Sequence, residues 1–181
     1  PIYSRVARTL HWTTVLLLLA QFPVGAYMSY RGNDLNVWDA LTNTLYSGHK
    51  LGGVVILLLV IVRLLYRFAH GAPADEPTLQ AWHRLAAHAT HWGLYALLIA
   101  APIAGYVGVA LFPALDVFGG IKLPALLTPD KEAAKTAFEV HSTLVGILAV
   151  LIAMHVGAAL YHYVIRRDNV LARMIPRLLR R

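Results

Sequence analysis

Four long apolar stretches, Leu10 to Met28, Leu51 to Phe68, Ala89 to Leu111 and Val140 to Ile165, decide what this chain can become. Each approaches or exceeds the ~20 helical residues needed to cross a ~30 Å hydrocarbon core. In lipid a backbone must satisfy its own polar groups, and a helix does so within one segment. Composition agrees: 58% of the residues are hydrophobic, only 14% are charged, and the mean hydropathy is +0.58. The first stretch has no small-residue cleavage site and further spans follow it, so all four are expected to be kept. The expected fold is all-α, an integral membrane four-helix bundle forming one domain over residues 1–181.

The net charge of +7 could suggest nucleic acid, but its distribution argues against that. Arg5 and Arg8 precede the first span, Arg63, Arg67 and Arg84 flank the second connection, and Arg166, Arg167, Arg173, Arg177, Arg180 and Arg181 follow the last. Eleven of the sixteen basic residues therefore fall on one side. The positive-inside rule places that side, with both termini and a short second connection, in the cytoplasm. Segments 29–48 and 112–139 then face the periplasm, the second as a longer connection.

Local signals divide the connections. Gly71 to Pro77 reads as a linker that ends the second helix, and Leu79 to Ala87 as a short amphipathic piece leading into the third. Pro129-Asp130 predicts the start of a surface helix that runs into span four. Pro23 and Pro102 lie within spans, where neighbouring helices tolerate a kink.

Cysteine is absent, which removes disulfides, iron–sulfur clusters, thiolate ligation and covalent haem attachment. Histidine carries the chemistry instead. Ionisable side chains inside a membrane are costly and mark function, and depth sorts the nine histidines of this chain. His11 and His49 open spans one and two from opposite sides, while span four has His141 near its outer end and His155 towards its inner end. His141 and His155 are 14 residues apart; at ~100° and ~1.5 Å per residue they lie within ~40° of one another and ~21 Å apart along the axis. One helix face can thus serve two levels, with His141 meeting His49 at the outer and His155 meeting His11 at the inner. Facing imidazoles at each level suit the axial positions of two non-covalent b-type haems. A single tetrahedral zinc or copper site does not fit positions so separated in depth.

Other residues share this register. Gly25, 14 residues beyond His11, and Gly52 and Gly53 beside His49 would clear space for a porphyrin, or pack helices closely. Arg63, 14 beyond His49, is placed to pair with a propionate of the inner haem, or else snorkels with Arg67 to the headgroups. His88 and His91 share a face at the inner end of span three, as propionate or quinone contacts or as plain interfacial groups. His162, two turns below His155, is a candidate quinone ligand, whereas His70 and His83 are expected to be solvated.

The segments YSRVARTLHW, SGHKLGGVVILLLVIVRLLYR, HATHWGLYALLIAAPIAGY, LPALLTPDKEAAKTAFEVHSTLVG and MHVGAALYHYVIRRDNVLARMIP together resemble the bacterial cytochrome b561 family over nearly the whole chain. The resemblance implies a four-helix di-haem protein of the inner membrane, with haem ligands at His11, His49, His141 and His155. It also implies ubiquinone as electron partner and a superoxide-oxidising activity. Superoxide would then reduce the outer haem, with Lys50 beside His49 as the first candidate for steering the anion and Arg31 and Lys122 as further ones. Where the family often has two successive histidines near the end of span four, this chain has His162 followed by Tyr163. The alternative to an enzyme is an electron-relay subunit serving a partner dehydrogenase or carrier protein, which the fold alone does not distinguish.

Overall fold

The computed structural model of the chain describes residues 2–77 and 79–179; Arg180 and Arg181, counted above among the cytoplasmic cations, lie outside the described residues. Four helices dominate: α1 (Arg5–Ser29), α2 (Ala40–His70), α3 (Ala81–Leu111) and α4 (Lys131–Tyr161). All four are long and apolar enough to cross a membrane. Wider π-type turns extend α1 over Tyr30–Asp34 and α4 over His162–Arg166.

α1, α2 and α4 begin ahead of their apolar stretches because caps, rather than hydropathy, set where they start. Ser4 Oγ accepts from the Ala7 amide, the Asp39 carboxylate from Thr42, and Asp130 from Glu132 and Ala133. Such caps satisfy amides that a first helical turn leaves unpaired. The start expected at Pro129-Asp130 is therefore present. The amphipathic piece expected to lead into the third span does so, residues 81–87 forming the first two turns of a continuous α3. At the end of α2, Gly71 takes φ +71°, a backbone region that only glycine enters readily. A helix of 31 residues is about 46 Å long, so each end of α2, α3 and α4 reaches beyond a ~30 Å hydrocarbon core.

The four helices run antiparallel in chain order. We term proximal the end that holds Tyr3, the 71–77 connection and the C-terminal segment, and distal the other. At the proximal end Ser4 Oγ meets Tyr66 Oη at 2.9 Å, Tyr3 N donates to Arg173 O at 3.2 Å, and Trp12 Nε1 to Met174 O at 3.3 Å. Distally, Arg31 Nη2 pairs with Asp39 at 2.5 Å and Arg31 Nε donates to Thr42 Oγ1 at 2.9 Å, closing the α1–α2 hairpin. The Thr42 amide, together with Arg31, holds the Asp39 carboxyl down at about 2. Large apolar side chains such as Leu16, Leu19, Leu58, Leu65 and Val150 stay exposed on the outer faces, as lipid contact requires.

Inside, the packing is uneven. α1 packs on α2, α2 on α3 and α3 on α4, but no extensive backbone packing joins α4 to α1 or α2. The fully apolar layer is short: Ile56 and Val60 from α2, Tyr95 and Leu98 from α3 and Leu148 from α4, with Leu17, Leu18 and Phe22 of α1 against them. Leu148 is seven residues from both His141 and His155. This layer thus lies at mid-depth and separates two polar levels.

Candidate functional site

At the distal level the rings of His49 and His141 face one another with centroids 6.1 Å apart and planes at 84°. His141 Nδ1 lies 2.8 Å from the carbonyl oxygen of Ala101. A carbonyl only accepts, so Nδ1 carries the proton and Nε2 keeps its lone pair, the arrangement that a ligating imidazole needs. One turn along α3, a Cβ on Gly105 would stand 3.0 Å from His141 Nδ1 and 3.2 Å from Cε1, so the missing side chain lets the ring lie against α3. Gly25 does the same for the partner, where a Cβ would meet His49 Cε1 at 2.9 Å. Gly25 therefore seats an imidazole. Gly52 holds the Gln21 side chain, and Gly53 alone of the three faces open space. His49 Nδ1 is buried without a hydrogen-bond partner, an arrangement that costs about 1–3 kcal/mol when nothing compensates it.

At the proximal level His11 and His155 have centroids 6.3 Å apart at 67°. His91 joins them from α3, its ring 5.3 Å from that of His155. Arg63 Nη2 donates to His11 Nδ1 at 3.0 Å, and its guanidinium sits 5.3 Å from the centre of the Tyr95 ring. Arginine only donates, so a neutral imidazole and an aromatic face are what hold this partly buried cation. No carboxylate among the described residues pairs with it. A charge so placed favours an anionic partner brought in from outside the chain.

The remaining sequence candidates separate. His88, expected beside His91, turns instead to the 71–77 connection, with Nε2 3.2 Å from Asp75 Oδ2 in an exposed pair. Lys50 lies at the distal level next to His49, but its ammonium donates to the carbonyl oxygens of Ala114, at 2.9 Å, and Asp116. It thereby fastens α2 to the 112–130 connection. Arg31 belongs to the hairpin closure, and Lys122 pairs with Asp116 at 3.3 Å on the surface. His162 is buried, with Nδ1 2.6 Å from Asp168 Oδ2. His70 is exposed and stacked on Tyr66 at 4.1 Å. His83 corrects the expectation of full solvation: it is half-buried, 5.5 Å from the His162 ring, with Trp82 3.7 Å away on its own helix.

Several residues of these sites carry no periodic signal. Ala101 and Gly105 become visible only when α3 and α4 are docked. Asp168 lies six residues beyond His162 across a π-type turn and a left-handed Arg167, outside any helical spacing.

Haem b can be tested against this donor set. An iron taking an imidazole nitrogen on each side at about 2 Å, with each ring centre about 1.1 Å further back, sets centroids about 6 Å apart. Both pairs meet that distance. The sparse packing of α4 against α1 and α2, the lone pair held ready on His141, the unpartnered His49 Nδ1 and the carboxylate-free Arg63 point the same way. Among the described residues no group of three or more His, Asp or Glu converges as a metal cage, so two axial nitrogens are what each level offers.

Spanning helices with facing imidazole pairs at two levels define a membrane cytochrome of the haem b class, an electron-transfer protein. Residues 2–177 match the family described as prokaryotic cytochrome b561, and the chain belongs to that family. It is 30% identical to cytochrome b561 homolog 1 of Escherichia coli K12 over 179 residues, covering 97% of each chain. Homolog 2 of the same organism is 30% identical over 174 residues, 96% of this chain and 90% of that one. A protein of Yersinia pestis named "Probable superoxide oxidase CybB" is 26% identical over 175 residues, 97% of this chain and 96% of its own.

Proposed function

We propose that the chain holds two haem b groups, one between His49 and His141 and one between His11 and His155. On this reading it carries electrons from superoxide at the distal face to ubiquinone near the proximal end. The observation that carries the proposal is the stacking of two imidazole pairs at two depths with an apolar layer between them. When bound, haem supplies at each level a one-electron carrier whose iron alternates between ferric and ferrous.

The chain's own residues do the rest. The His141–Ala101 bond fixes a tautomer and ring orientation, and Gly25 and Gly105 let both distal rings approach without a Cβ in the way. Arg63 offers its charge to an inner propionate, which would free His11 Nδ1 from accepting its hydrogen bond. His91 contacts the same level, and His88 stands at its edge beside Asp75. At the proximal end His162 faces the quinone, where a quinone oxygen needs a hydrogen-bond donor. Two superoxide anions lose one electron each to become dioxygen, and one quinone takes both electrons with two protons. The Yersinia pestis relative's name supports this donor. Arginines gathered at the proximal end support its placement on the cytoplasmic side of the inner membrane, both termini included.

A relay subunit serving a partner protein is the second reading, and the engaged Lys50 ammonium favours it. So do Trp38, Phe118, Ile121 and Leu126, exposed apolar residues in the distal connections that would suit docking. Mixing purified holoprotein with a superoxide source and ubiquinone decides between them. The enzyme reading expects haem reduction well above the uncatalysed rate, followed by reoxidation on adding quinone. A protein inert to both, and co-purifying with a second polypeptide, would establish the relay.

A further inference from the structure

Neither imidazole pair uses the proximal cluster of His83, His162 and Asp168. The side chains of His162 and Asp168 are 10% and 5% exposed. His162 Nδ1–H donates to Asp168 Oδ2 at 2.6 Å, while Oδ1 accepts from the Val170 amide at 3.1 Å. A carboxylate bound through both oxygens fixes the ring, keeps a proton on Nδ1 and leaves Nε2 as the exchanging nitrogen. From the first turn of α3, His83 brings its ring to 5.5 Å at 73°. Its Nδ1 is buried without a partner although the side chain as a whole is half-exposed, so the ring reaches from solvent into the cluster. The charged and titratable groups facing His162 are His83 from α3, Asp168 from the C-terminal segment, and Arg166, whose Nε lies 3.5 Å from Asp168 Oδ2, from the end of α4; the Tyr161 ring is 5.7 Å away. His162 follows His155 by seven residues, about 10 Å along the axis.

We propose that His83, His162 and Asp168 form a proton relay for quinone reduction, in which His83 takes protons from the proximal aqueous phase and His162 delivers them from Nε2. Asp168 is a positioning residue that holds His162 and balances the imidazolium. The proposal rests on His162 facing the quinone. A quinone becomes a quinol by gaining two electrons and two protons. Bound haem would supply those electrons one at a time. Each proton breaks its bond to His162 Nε2 and forms an O–H bond on the quinone, and the imidazole recovers a proton through His83. Asp168 remains a carboxylate throughout.

The test uses holoprotein in liposomes and decylubiquinol, run in the reverse direction: stopped-flow haem reduction from about pH 6 to 9, in water and in deuterium oxide. Dithionite reduction reports electron transfer without the relay. The variants are His162→Gln, Asp168→Asn and His83→Gln, and 15N NMR of the histidine nitrogens follows the His162 tautomer independently of turnover. Asp168→Asn is expected to lower the saturated rate roughly tenfold at nearly unchanged KM, flatten the pH profile, and move His162 away from a pure Nδ1–H tautomer. His83→Gln is expected to slow the reaction and shrink the solvent isotope effect while leaving the dithionite rate alone. Since it lies on another element, it keeps the test open should Asp168→Asn fail to hold haem. A His162→Gln protein with wild-type rate and KM would remove the quinone reading itself. An impaired His162→Gln beside a His83→Gln protein with wild-type rate, pH profile and isotope effect would overturn the relay alone.

Discussion

Gly105→Ala isolates one contact of the distal site. In a helix interior alanine is favoured over glycine by about 1 kcal/mol, so α3 taken alone gains from the change. The structure puts the opposite sign on the outcome. The new methyl would stand 3.0 Å from His141 Nδ1 and 3.2 Å from Cε1, with the α3 backbone behind it, so the imidazole must retreat. Retreat lengthens the 2.8 Å bond to Ala101 and turns Nε2 away from His49. Overpacking of this kind costs about 1–3 kcal/mol, and losing a neutral hydrogen bond costs about 1 kcal/mol more. After the helical gain is subtracted, roughly 2 kcal/mol remains, about thirtyfold in haem affinity at the distal level. Transfer of haem from purified protein to an excess of apomyoglobin measures it. One of two haems should leave about thirtyfold more readily, and the low-spin spectrum of the other should be unchanged. If both haems are retained as in the unmodified chain, His141 is not held against α3 in the way described.

Three further outcomes follow from the same geometry. Arg63→Gln removes a cation from the proximal level; a unit charge about 7 Å away at an effective dielectric of about 20 is worth about 2 kcal/mol. Potentiometric titration should therefore show the midpoint of one haem falling by up to roughly 100 mV, and equal shifts in both would contradict a proximal location. Lys50→Glu should slow the reaction with superoxide several-fold at low ionic strength, the difference closing in about 0.5 M salt, with both haem spectra intact; an unchanged rate would exclude Lys50 from steering. Asp39→Asn should lower thermal stability at neutral pH by opening the Arg31 closure. Because the folded carboxyl is held down at about 2 against 3.8, its contribution is present above 3.8 and lost as pH falls through 2, so the two melting curves should converge in acid. A gap that persists near pH 2 would point to some other cause.

The spanning helices were legible because hydropathy alone identifies them, and the ligand candidates because His141 and His155 repeat on one helical face. What escaped was set by docking and by backbone turns. The seats of the distal rings, Gly105 and Ala101 on α3, belong to a helix with no histidine at that level, so no spacing announces them. For Gly25 the 14-residue interval locates its face and depth but not the His49 ring that lies against it. His83 read as solvated because it precedes the third apolar stretch; Asp39 starts α2 well before its apolar run and α3 likewise begins at Ala81, whereas the early start of α4 was legible in Pro129-Asp130. Asp168 was hidden by the π-type turn that carries the chain past His162. His88 and His91 shared a predicted face, yet Asp75 drew one of them outwards.

The most direct test is haem stoichiometry by pyridine haemochrome on the purified chain and on His49→Ala and His155→Ala. Two haem b per chain, falling to one in each variant with a different absorption component missing each time, is the expected result. One haem or none in the unmodified chain, or the same component lost from both variants, would contradict separate imidazole pairs at two depths.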